Sequence, residues 1–252
     1  MTAVTLDHQR KRWDEARRLD RLNLEDAAGF ATGGLGGLVE ALDVRIRFLP
    51  ADPLATPVRL DGEAEEWLSN PRSTPYGGHE PELGRLRRAT SSALLRYDQY
   101  RDNKGWTRFV GLHRDGGLDF GQGSSTTGQP DSRVVWLRPL VGLTWHLASM
   151  QIEAIERWSI AGPFEVSVAL AGVEGARLGG FAEGWRDVGD IFYRDALTCV
   201  ERNVLLRVEC DILEPEALAM QIGEQLENTF GTTNRRFIAN RGDYEARFDP
   251  RY

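Results

Sequence analysis

The sequence predicts an α+β protein: a mostly antiparallel or mixed sheet covered by two main helices, with a further helix at the N-terminus. Three observations carry that reading. Short runs such as "DVRIRF" and "FEVSVAL" alternate apolar and polar residues with the period of two of a half-buried strand. Turns rich in glycine and aspartate separate several of them. Two longer stretches, around 138–158 and 214–231, instead repeat apolar residues every three to five positions, as a helix with one buried face does. Strands in a run, followed by helices interleaved singly, are the pattern of an α+β domain.

The first element is the N-terminal helix, residues 1–30. Leu6, Trp13, Leu19, Leu22 and Leu24 are compatible with one helical face, and neither glycine nor proline interrupts Leu6 to Ala28. Trp13, Leu19 and Leu22 are its candidate partner contacts, because a narrow apolar stripe on a polar helix suits docking on another surface as well as on its own domain. The glycines of "GFATGGLGGLVEAL" form a hinge to a single α+β domain at 31–252. They are no phosphate cradle: Val39 stands where the third glycine of GxGxxG belongs, and GxxxxGK[ST] is absent.

Val44, Ile46 and Phe48 mark the first strand, which the prolines from Pro50 onward end. "EAEEWLSN" is a short helical candidate, and "PRSTPYGGHEPELG" a surface loop. An antiparallel group follows, turning at Asp102 to Gly105 and again at Asp115-Gly116-Gly117. Val134 to Trp136 is a short strand, and "RPLVGLTWHLASMQIEAIERW" the clearest helix, with Pro139 in its first turn. "FEVSVALAGV" and "VLLRVECDI" are strands, and Glu214-Pro215 opens the last helix, with Leu218, Ile222 and Leu226 on one face.

Composition narrows the function. No run approaches the ~18 apolar residues of a membrane span, and the N-terminus lacks the apolar core of a signal peptide, so a cytoplasmic protein without a membrane role is expected. Cys199 and Cys210 are the only cysteines, too few for a disulfide scaffold or a structural zinc site. A net charge of −7 argues against a surface built to coat nucleic acid.

"HRDGGLDFG" spells two protein-kinase words, His113-Arg114-Asp115 and Asp119-Phe120-Gly121. The chemistry needs an asparagine five positions after the first aspartate, where this chain has Phe120, and a lysine in an upstream strand, for which only Lys11 and Lys104 exist. The stretch therefore reads as a hairpin. His8, His79, His113 and His146 form no metal motif, and "GQGSSTTGQP" lacks the GxSxG elbow, so no catalytic residue, metal site or cofactor is expected. A hydrolase would have to gather His146 or His113 with carboxylates distant in sequence. Arg85, Arg87, Arg88, Arg96 and Arg101 supply guanidinium density suited to an anion or nucleic-acid contact.

"DVRIRFLPADP", "WTRFVGLHRDGGLDFG", the helix after Trp136 and "GPFEVSVALAGVEGARL" resemble, in order and texture, the C-terminal half of bacterial helix-turn-helix or ATP-binding proteins that carry a Schlafen AlbA-like domain. That domain has no counterpart here. The resemblance implies an accessory or regulatory module standing alone, from a defence or regulatory operon, and transfers no functional residue. The expectation leans away from an enzyme: an accessory, sensor or partner-binding protein with a protein partner, room for a homo-oligomer, and as the alternative a nucleic-acid-binding component using the arginine segment.

Overall fold

The computed structural model describes residues 43–52, 55–70, 86–89, 93–99, 106–122, 134–179, 197–201 and 203–232. The N-terminal helix with Trp13, Leu19 and Leu22, the glycine hinge, the loop at 71–84 and the turn at 102–105 lie outside them. Among the described residues, nine strands and three helices run in the order β1 (Asp43–Pro50), α1 (Gly62–Ser69), β2 (Leu86–Ala89), β3 (Ala93–Gln99), β4 (Trp106–His113), β5 (Leu118–Gln122), β6 (Val134–Trp136), α2 (Leu137–Trp158), β7 (Phe164–Ala171), β8 (Arg177–Gly179), β9 (Asn203–Cys210) and α3 (Pro215–Thr229). Seven of the strands form one sheet in the order β2-β3-β4-β5-β1-β7-β9, and every ladder in it is antiparallel. β6 and β8 form a separate parallel pair. The α+β expectation is met, with α2 and α3 as the two main helices.

The alternation in β1 fixes the core. Val44, Ile46 and Phe48 are buried and lie beside Phe120 and Leu118 of β5 on one side and Leu170, Val168 and Val166 of β7 on the other. Side chains directly opposite in a ladder share a face, so one row of apolar residues crosses the sheet. Leu147, Met150 and Ala154 of α2 and Leu218, Ile222 and Leu226 of α3 close the same core. Each fully buried large side chain there contributes roughly 1.5–3 kcal/mol relative to an exposed one.

α1 begins where Asp61 caps it, its Oδ1 accepting from the amides of Glu63 at 3.1 Å and Ala64 at 3.3 Å. It buries Ala64, Trp67 and Leu68, and Trp67 meets Trp158 of α2 edge to face at 5.1 Å.

The Asp115-Gly116-Gly117 turn joins β4 to β5 as the sequence predicts. Asp115 Oδ1 accepts the amide of Gly117 at 2.8 Å, and Gln151 of α2 donates to the Gly116 carbonyl at 2.9 Å. Both glycines are required. Gly116 has φ +89, and a Cβ there would stand 2.4 Å from Ile160 Cδ1; one at Gly117 would stand 2.5 Å from the Phe48 carbonyl oxygen. Gly116→Ala is therefore expected to cost about 1–3 kcal/mol, combining positive-φ strain with overpacking, as a lower urea midpoint will show.

Candidate functional site

The face of the sheet away from the helices carries its own buried group. The β1–β5 register sets Arg47 opposite Asp119, and the β4–β5 register sets Gly111 opposite the same aspartate, with His113 two residues further along β4. Parity puts all of them on one face. Asp119 uses both carboxylate oxygens: Arg47 Nε donates to Oδ1 at 2.9 Å, and His113 Nε2 lies 2.7 Å from Oδ2. Gly111 keeps the space clear, since a Cβ there would come 2.9 Å from Leu95 Cδ2 and 3.6 Å from His113 Nε2.

Burial works to raise the Asp119 pKa, but the Arg47 guanidinium and His113 outweigh it and hold the carboxyl at about 2. Asp115 moves the other way: desolvation pushes it up, and His113 and the Gly117 amide only partly offset this. The two aspartates of the kinase-like letters thus sit in opposed settings, and the histidine of one word touches the aspartate of the other. Side-chain exposure decides what the trio can do. His113 is 5% exposed, Asp119 2% and Arg47 19%, so the acid and the imidazole are closed to any substrate from outside. The group ties β1, β4 and β5 together.

Among the described residues, the remaining histidine and the two cysteines are buried or partly buried, and His8 and His79 lie outside those residues. His146 lies buried on α2, where desolvation lowers it to about 4 and leaves a neutral imidazole at pH 7. Cys199 and Cys210 are free thiols whose pKa values burial raises. Among the described residues no group of three His, Cys, Asp or Glu side chains could hold a metal ion, and no helix is long and apolar enough to cross a membrane.

Of the predicted arginines, Arg87 and Arg96 face each other across β2 and β3. Arg87 Nη1 pairs with Glu65 Oε1 at 3.0 Å, both side chains half-exposed, which is worth ~0–1 kcal/mol. Arg96 Nη1 donates to the carbonyls of Ser69 at 2.9 Å and Leu68 at 3.4 Å, at the C-terminal end of α1, which has no basic residue of its own in its last turn. Desolvation and Arg87 lower its pKa, while Asp98 opposes them. Arg87, Arg96 and Glu65, with Leu68, Ala89, Leu94 and Leu95, line a groove of about 150 Å³. Arg88 stands opposite Leu95 in β2, and Arg85 and Arg101 lie outside the described residues.

A third feature escaped the sequence reading. Among the described residues, the large hydrophobic side chains left exposed are Leu197 at 67%, Val200 at 86%, Leu205 at 52% and Ile212 at 77%. All four fall in 197–212, the stretch that contains β9 and its two flanks. β9 ends the sheet and, among the described residues, pairs with β7 alone. It turns Val204, Leu206 and Val208 into the core and leaves Asn203, Leu205, Arg207 and Glu209 outside. The signal was present as the alternation of "NVLLRVEC", whose outward set includes a leucine. No family model, curated protein or solved structure matches this chain.

Proposed function

We propose that the chain is a non-enzymatic accessory protein of a bacterial regulatory or defence system, cytoplasmic, acting by binding a protein partner. The observation that carries this reading is the concentration of exposed large hydrophobics in 197–212, around an edge strand. Apolar side chains of this size left in water beside a strand that, among the described residues, ends its sheet are a characteristic protein-docking surface. Burial of His113, Asp119 and His146 supports the non-enzymatic part, because an acid or base must reach its substrate. The nucleic-acid alternative gains nothing from Arg87 and Arg96, whose guanidinia are spent on Glu65 and on the end of α1.

The test is capture of the products of neighbouring genes on immobilised wild type and on a Leu205→Glu/Ile212→Glu double variant. Wild type is expected to retain a partner, and the variant to bind it at least about tenfold more weakly, the loss of one good apolar anchor. Equal capture by the two forms would sink the assignment of this surface.

A further inference from the structure

We draw no further inference here: the strongest candidate, the groove between α1 and the β2–β3 ladder lined by Arg87 and Arg96, rests on two guanidinia already engaged by Glu65 and by the end of α1, and nothing in the structure shows what would occupy it.

Discussion

Asp119→Ala is expected to lower the free energy of unfolding by about 3–5 kcal/mol, the cost of removing one partner from a buried ion pair. The loss exceeds that of an ordinary surface pair because the carboxylate is fully enclosed and both of its oxygens are engaged. Without it, Arg47 and His113 are left together on a closed face. Urea unfolding at pH 7 measures the effect, and a change below about 1 kcal/mol, the size of an exposed pair, would contradict the account. The pH profile gives a second reading of the same residue. Its carboxyl is held at about 2 in the folded chain, against ~3.9 in an unfolded one. A depressed acid stabilises the fold above its unfolded pKa, and the contribution disappears as pH falls through the folded one. About 2–3 kcal/mol should therefore be lost between pH ~4 and ~2. Asp119→Asn removes the titrating group, so its stability curve should be flatter across that window than that of wild type. Identical acid limbs would show that the pairing seen at Asp119 does not govern acid unfolding.

The second large effect lies on the same face of the sheet. Phe109 is fully buried and stands directly opposite Gly121, and its ring occupies the place of the missing side chain: a Cβ on Gly121 would be 2.2 Å from Phe109 Cε1. Phe109→Ala is expected to cost about 3–5 kcal/mol through lost burial and the cavity left behind. Gly121→Val in the wild-type background should cost about 1–3 kcal/mol, because the ring must leave a well-packed position. The two changes together are expected to be less harmful than their sum, since the valine refills part of the space the ring vacates. A double-mutant cycle by urea unfolding gives the coupling, which should be at least about 0.5 kcal/mol in the compensating direction. Simple additivity would mean that the ring does not rest on Gly121.

The fold was legible where periodicity had room to show itself. The eight residues of β1, the eight of β7 and the twenty-two of α2 each contain several repeats of their period, and all three lie where the sequence predicts. β8 and β2, with three and four residues, contain at most two repeats and have no pattern to find. Strand order was illegible for another reason. Alternation says which way a side chain points relative to its own strand, and nothing about which strand lies beside it, so the position of β1 between β5 and β7 could not be read.

The buried trio falls between these cases. A turn at 115–117 already places residues 111 and 119 opposite one another and His113 on the same face as Asp119, so that half of the contact was available from parity. Arg47 was not, because it reaches the aspartate across a ladder between strands more than sixty residues apart. Reading Arg45 and Arg47 as the polar side of a strand with one buried face describes β1 incompletely, since its second face is partly enclosed too. The arginine segment was visible as charge, but the partners that occupy Arg87 and Arg96 come from α1, through contacts no local pattern encodes.

The place of β1 in the sheet also bears on how the chain assembles during synthesis. β1 emerges first of the described strands and sits between β5 and β7, and β7 begins only at Phe164, more than a hundred residues after Pro50. At ~5–20 residues per second that is a wait on the order of 10 s. During it, the row formed by Val44, Ile46 and Phe48 has at most one neighbouring strand, and α3, which helps close the same core, has not yet been made. Contacts between positions this distant in sequence make for slow folding. The nascent chain thus spends that interval with a strand of its core at most half paired, and exposed apolar surface of this kind is what makes a folding intermediate prone to wrong pairing.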